Sequence, residues 1–362
     1  MDFFLSEMID KVMTARASQR PIYIQGGGTK LFYGETMPAL PNGSLLDVSP
    51  FAGVVNYQPS ELVVTARAGT PLAEVESLLA SNRQMLAFEP PRFGAASTIG
   101  GCVASGLSGP RRMQAGALRD FVLGVTLLDA SGTILRFGGE VMKNVAGYDI
   151  SRLLAGSMGI FGPLLEVSLK VAPQPLAEET RELLLDESEA LARFNAWRSK
   201  PLPISATAWH MEDGQGVLRV RLSGSEPALA SARRAVGGES MGAEAAAAWW
   251  DSLRDQTHPF FQARPLWRVA LPPTTPSLGL GNMLIEWNGG QRWLGDGEVE
   301  ADFVRKAASR HGGHATLYRY EGEPGVPVFH PVAAGVRAIS QRLKQEFDPT
   351  GMFNPGRLLR EL

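Results

Sequence analysis

Hydrophobic spacing sets out the elements along this chain before any motif is considered. Phe4, Leu5, Met8, Ile9, Val12 and Met13 recur at helical intervals and predict an amphipathic N-terminal helix. Residues 61–69 form a β-rich run. Thr70 is a candidate cap for a helix that takes Pro71 at its first position and continues through Val75, Leu78 and Leu79. Residues 121–128 read as a strand, Ala130 to Gly132 as a turn, and 133–137 as the returning strand of a hairpin. Asp149 can cap a short helix over 150–155, and 164–171 alternates into a strand that ends at Pro173 and Pro175.

After those prolines the pattern changes. Residues 176–200 are strongly charged and read as helical. Strands over 216–222, 267–271 and 282–287 then alternate with helices over 227–236, 243–254 and 299–310. That mixture predicts an α+β second domain. A boundary near residue 173 gives a first domain over 1–173, a second over 174–340, and a C-terminal tail over 341–362. The length of 362 residues, more than twice a usual domain of about 150, fits this division.

Composition narrows the chemistry. Thirty-five Lys and Arg stand against 37 Asp and Glu, a formal charge of −2, which argues against a nucleic-acid footprint or a polybasic membrane anchor. The single Cys102 excludes an internal disulfide and an iron–sulfur cluster, which needs about four ligands. No histidine precedes His210, so no metal site is expected. Asp2 and Glu7 make the N-terminus unlike a basic signal segment, and nothing approaches the roughly 18 apolar residues of a membrane span. A cytoplasmic protein is expected.

Glycine carries the candidate chemistry. Fourteen of the 40 glycines fall between Gly94 and Gly162. Upstream, a strand-like Ile22-Tyr23-Ile24-Gln25 runs into Gly26-Gly27-Gly28-Thr29-Lys30, where successive backbone N–H groups could cradle a phosphate or simply form a turn. The spacing is neither G-x-x-x-x-G-K nor G-x-G-x-x-G. A second small-residue stretch, 89–106, contains Pro90 and Thr98-Ile99-Gly100-Gly101, followed by Ala104 and Ser105. A third, 147–163, holds Gly147-Tyr148-Asp149 and Gly156-Ser157-Met158-Gly159-Ile160-Phe161-Gly162.

In that order, together with the closing Phe347-Asp348-Pro349 and Phe353-Asn354-Pro355-Gly356, these motifs resemble the FAD-binding domain of the vanillyl-alcohol-oxidase (PCMH-type) superfamily. Residues 93–137 and 138–149 are similar to its glycolate-oxidase FAD-binding subunits. The resemblance implies an α+β fold: a PCMH-type domain of two α/β subdomains, a smaller α+β cap, and a tail returning to the flavin domain. It implies noncovalent FAD, with Gly26, Gly27, Gly28, Thr29 and Lys30 on the pyrophosphate. Pro90, Thr98, Ile99, Gly100, Gly101, Ala104 and Ser105 would run along the flavin. Arg119, Asp120 and Gly124 fall in the next contact region, Gly159, Ile160 and Phe161 would meet the ring or adenine, and Asn354 would return to the flavin edge.

Departures from the wider family matter too. Members that attach flavin covalently do so through His or Cys, and only Cys102 lies near these motifs. The histidine motif H-G-D-G-N of the larger catalytic flavoproteins is missing; His311-Gly312-Gly313-His314 is the closest string, which leaves His314, or else a tyrosine, as the candidate base. Arg264, Arg268 and Arg319 are candidates for a substrate carboxylate. The resemblance implies a subunit that oxidises glycolate, a 2-hydroxy acid, to glyoxylate. It would work beside a larger FAD-binding subunit and an iron–sulfur subunit, which could hold it at the inner membrane, and part of their contact is expected around Trp249, Trp250 and Trp267. A self-sufficient FAD-dependent 2-hydroxy-acid oxidoreductase and a non-catalytic structural subunit are the alternatives.

Overall fold

Valine-rich segments build the first sheet. Strands Val54–Gln58, Val63–Arg67, Leu164–Lys170, Val122–Leu128 and Ile134–Gly138 lie side by side in that order, each antiparallel to its neighbour. The computed structural model describes residues 3–37, 44–139, 149–295, 297 and 299–362, so Gly147, Tyr148 and most of the 138–149 motif lie outside the described residues. Helix Leu72–Ser81 buries Leu72, Val75 and Leu79 against this sheet. Thr70 does not cap it. Its hydroxyl donates to the Arg67 carbonyl at 2.6 Å and accepts from Gly53 N at 2.9 Å, and Pro71 holds the cap position. Asp149 does cap helix Ile150–Leu154, accepting from Arg152 N at 3.2 Å.

A smaller layer pairs Ile22–Gln25 with Ser44–Asp47 in parallel, and helix Phe3–Ala17 packs Met8, Val12 and Ala15 onto it. The C-terminal segment returns to this layer. Ile22 N donates to the Met352 carbonyl at 2.7 Å, and Asn354 N donates to the Ile22 carbonyl at 3.0 Å. The return begins with helix Ala334–Phe347, whose Leu343 and Phe347 pack on the core of the five-stranded sheet. The buried Lys344 ammonium donates to Ile160 O at 2.6 Å, Phe353 O at 2.8 Å and Asp348 Oδ2 at 2.8 Å. Among the described residues no helix is long and apolar enough to cross a membrane.

The second unit is an eight-stranded sheet ordered Glu239–Ser240, Ala177–Leu184, Gln215–Gly224, Ile204–Glu212, Met283–Glu286, Gln291–Leu294, Leu266–Ala270 and His314–Arg319. Its first long strand corrects the helical reading of 176–200, where only Glu187–Arg198 is helical. The charges that suggested a solvated helix are paired: Glu182 meets Arg219 on the neighbouring strand at 2.8 Å, and Glu179 meets Arg233 of the helix Glu226–Val236 at 2.6 Å. One face of the sheet buries Leu218, Val220, Val269, Ile285 and Leu294 beneath the helices Glu187–Arg198, Glu226–Val236 and Ala301–Arg310. The other face presents Ala206, Ala208, Leu284, Trp293 and Tyr318 toward Phe32, Tyr33, Phe93 and Leu107 of the first unit. Trp250 and Trp267 are buried in the interior, and Trp249 is half-buried.

An ionic lock joins the two units. Glu89 accepts from Arg111 at 3.3 Å and from Arg221 at 2.8 Å, and Arg111 continues to Glu178 at 2.6 Å. Burial pushes the Glu89 carboxyl up, but Arg221 and Arg111 together hold it below its ordinary value of 4.5. A carboxyl depressed in the folded state contributes its stability above the unfolded pKa and loses it as pH falls through the folded one. Glu89→Gln is therefore expected to cost about 3 kcal/mol in urea unfolding at pH 7, because it leaves two buried guanidiniums with only the half-exposed Glu178 as a counter-charge. The gap between the two proteins should shrink steadily below pH 4.5, and a gap independent of pH would contradict the assignment.

Candidate functional site

The strand Ile22–Gln25 delivers the glycine loop to the edge of the smaller layer, where it becomes one wall of an open cleft. Gly26, Gly27, Gly28, Thr29 and Lys30 all line that cleft. Among the described residues their five backbone N–H groups donate to no protein acceptor. A run of unpaired amides on a cavity wall is costly unless water or a ligand accepts from them, and an anion is the acceptor that suits such a concave run. The Lys30 ammonium is not part of the cradle. It donates to Ser97 Oγ at 2.6 Å, and burial lowers its pKa.

That lysine ties the loop to the opposite wall, helix Ile99–Ser105, which Thr98 caps by accepting from Gly101 N at 3.2 Å. Thr98, Gly101, Ala104 and Ser105 face the cleft. A Cβ on Gly101 would meet only Thr98 Oγ1, at 3.2 Å, a close contact with a single side-chain atom that a shift of a few tenths of an ångström relieves. Glycine inside a helix costs about 1 kcal/mol relative to alanine. Its presence at an open cleft wall fits a flat ligand that approaches the backbone closely. Gly100, one residue away, has a packing reason instead, since its Cβ would come within 2.5 Å of Ala68 Cβ.

Met158, Asn354, Arg357, Tyr33 and Met37 close the cleft. Asn354 is a staple as much as a contact: Oδ1 accepts from Ile24 N at 2.8 Å, and Nδ2 donates to Met158 O at 2.7 Å. Arg357 escaped the sequence reading. Its buried guanidinium donates to Glu35 O at 2.9 Å, Leu31 O at 2.6 Å and Tyr33 O at 2.5 Å, fixing the chain that follows the glycine loop. Ile24, Gln25, Leu31, Tyr33, Met37 and Met158 were also missed, and only adjacency to a motif could have found them.

Other expected contacts lie elsewhere. Ile99 and Gly100 point into the core, and Pro90 is buried outside the cleft lining. Arg119 and Asp120 are exposed 4.0 Å apart, with Asp120 accepting from Ala117 N at 2.9 Å. Gly124 packs against Gly139 at the edge of the sheet. Gly159 abuts Asn354 Nδ2, Ile160 gives its carbonyl to Lys344, and Phe161 is buried beside Phe347. Of these, Gly159 and Ile160 touch Asn354 and Lys344, which hold the cleft's frame, and none lines the cleft itself. Cys102 is buried in the core, and its thiol is pushed up to about 12 by burial.

A second, larger cavity of about 700 Å³ opens between the two units and shares Tyr33 with the first. It contains His314 and Arg268, whereas Arg264 donates to the carbonyls of Phe261 and Ala263, and Arg319 to Gln256. Among the described residues one group has the make-up of a metal site, His210, Glu212 and His258. Its carboxylate is already held by Arg219, at 2.5 and 2.8 Å, so the group is built as an ion pair.

Comparison with known proteins agrees with this geometry. Residues 5–138 match the family model described as an FAD binding domain. The chain is 43% identical over 357 residues to the glycolate oxidase subunit GlcE of Escherichia coli (strain K12), covering 98% of this chain and 97% of that protein. It is 31% identical over 190 residues to the glycolate oxidase subunit GlcD of Bacillus subtilis (strain 168), which is 52% of this chain and 40% of GlcD. The fold is shared with p-cresol methylhydroxylase, at a TM-score of 0.69 and 14% identity over 98% of this chain and 87% of that one. The chain belongs to the GlcE family of glycolate oxidase subunits and carries an FAD-binding domain of the PCMH type.

Two neighbouring glycines separate ligand contact from packing. Gly101→Val should fold with a thermal midpoint near that of the parent yet bind FAD at least about tenfold more weakly, a loss of about 1.4 kcal/mol. Gly100→Val should lower stability by about 1–3 kcal/mol through overpacking against Ala68. Flavin fluorescence quenching and thermal unfolding on both variants check the pair. Normal FAD affinity in Gly101→Val would remove that helix from the cofactor wall.

Proposed function

We propose that this chain is the FAD-binding subunit of a glycolate-oxidising complex, taking glycolate to glyoxylate and passing electrons to partner subunits. The observation that carries the reading is the run of five unpartnered amides, Gly26 to Lys30, facing the small-residue wall Thr98, Gly101, Ala104 and Ser105. Those amides would receive the pyrophosphate, and the small side chains opposite leave room for a planar ring. Bound FAD would supply the two-electron acceptor that no side chain provides. The chain's own contribution is to hold it: Lys30 with Ser97 fixes the distance between the two walls, and Arg357 with Asn354 fixes the far end.

The cofactor is held noncovalently in this account. No histidine precedes His210, and Cys102 keeps its proton in the core, a poor nucleophile. A single cysteine cannot build a cluster for onward electron transfer; in this reading, as the family resemblance implies, a larger flavoprotein subunit and an iron–sulfur subunit are the partners. A second reading, a self-sufficient 2-hydroxy-acid oxidoreductase, draws on one observation: His314, the candidate base, lines the cavity between the units.

Acid precipitation should leave the yellow colour in the supernatant. The isolated FAD-loaded chain should show little glycolate-dependent dye reduction, with activity returning when the two partner subunits are added. Robust turnover by the pure chain would displace the first reading in favour of the second.

A further inference from the structure

The cavity between the units has an unusual charge. Its lining includes Arg112 from the first unit, Arg268 and His314 from the eight-stranded sheet, and His330, and it contains no aspartate or glutamate. Both guanidiniums rest on one indole, Arg112 at 4.4 Å and Arg268 at 5.3 Å from the Trp287 ring. Arg268 Nε donates to Gln291 Oε1 at 2.6 Å, and among the described residues neither arginine has an ion-pair partner.

Carboxylates nearby do not repair the imbalance. Asp120 bears on Arg112 from outside, where it is exposed and hydrogen-bonded to Ala117 N. Glu286 feels the charge of Arg268 but makes no ion pair with it: its Oε2 accepts from Gln291 Nε2 at 3.2 Å and from Trp293 Nε1 at 2.6 Å. Burial pushes Glu286 up to about 7, so it is only partly charged at neutral pH. Arg112 is held below its ordinary value by burial and then by Arg268 and Arg119. Burial, Arg268, His330 and Arg112 likewise lower the His314 imidazole, leaving it in its neutral form.

Two cations beside each other in a cavity, without an acid, are stabilised by an anion that enters it. The planar fork of a guanidinium fits the two oxygens of a carboxylate. Thr316 adds a hydroxyl, and the remaining wall is apolar. We propose that this chamber is a binding site for a small carboxylate, held by Arg112 and Arg268 with the His314 ring facing the same space. The charge argument stands by itself; only the choice of a 2-hydroxy carboxylate as the anion rests on the proposed function. On that reading the substrate enters this subunit as well as its larger partner.

Calorimetric titration of the FAD-loaded full chain with glycolate, oxalate and the neutral glycolamide tests the site. Glycolate and non-oxidisable oxalate should bind, and glycolamide should not. Arg268→Met and Arg112→Met should each weaken oxalate at least tenfold with the flavin-to-protein absorbance ratio unchanged, and Arg268→Lys should fall between. Because the two arginines sit on different units, either variant serves if the other does not fold. Unchanged oxalate affinity in the arginine variants would overturn the site. So would loss of flavin from them, which would assign the charges to the cofactor. Oxalate binding without any glycolate oxidation by the assembled complex would support the site and count against the proposed activity.

Discussion

A Cβ on Gly27 would lie 1.5 Å from the carbonyl oxygen of Ala96, and one on Gly26 would lie 2.5 Å from Thr98 Oγ1. That closeness is the constraint on which the site depends. It requires glycine at both positions and brings two loops from different layers into backbone contact. The amides of Gly26 to Lys30 are left without protein acceptors. Tertiary ties keep the arrangement from collapsing. Lys30 reaches Ser97 across the gap, Asn354 pins the strand before the loop to Met158, and Arg357 clamps the carbonyls after it. The buried Lys344 then fixes the tail that carries Asn354 and Arg357 to the first unit. A cradle of unsatisfied amides is stable only inside such a frame, because nothing local holds it open.

Much of the frame was legible in the sequence because it is written in local terms. Small residues at Gly26 to Gly28 and at Gly101, Ala104 and Ser105 mark the two walls. Motifs that were legible as motifs were less so as contacts. Gly124 and Gly159 have close packing neighbours in Gly139 and Asn354, Phe161 packs beside Phe347, and Ile160 offers only its carbonyl, to Lys344. A sequence pattern records such packing in the same letters as a ligand contact. Strand Ala177–Leu184 was hidden for a different reason: Glu182 answers Arg219 on the neighbouring strand, far along the chain, and charge spacing alone suggested a helix. Arg357 and Tyr33 reach the cleft through tertiary closure, which local spacing does not encode.

The two units meet through contrasting chemistry. Glu89 with Arg111 and Arg221 forms a neutralised lock at one place, and Trp287 Nε1 donates to Gly109 O at 3.1 Å beside it. Around Trp287 the balance reverses, with Arg112 and Arg268 facing a cavity that offers no acid. The fold thus spends its carboxylates on holding the units together and leaves positive charge where a small anionic molecule could enter. The cofactor cleft and this chamber meet at Tyr33, so one aromatic side chain borders both.

The central claim is that the amides of Gly26 to Lys30 are the phosphate cradle, and amide hydrogen exchange reads those groups directly. Exchange followed by mass spectrometry on the FAD-free and FAD-loaded chain should show strong slowing over 26–30 and weaker slowing over 98–105. Peptides over 118–124, which lie away from the cleft, should be unchanged. Unaltered exchange at 26–30 when FAD is bound would contradict the account.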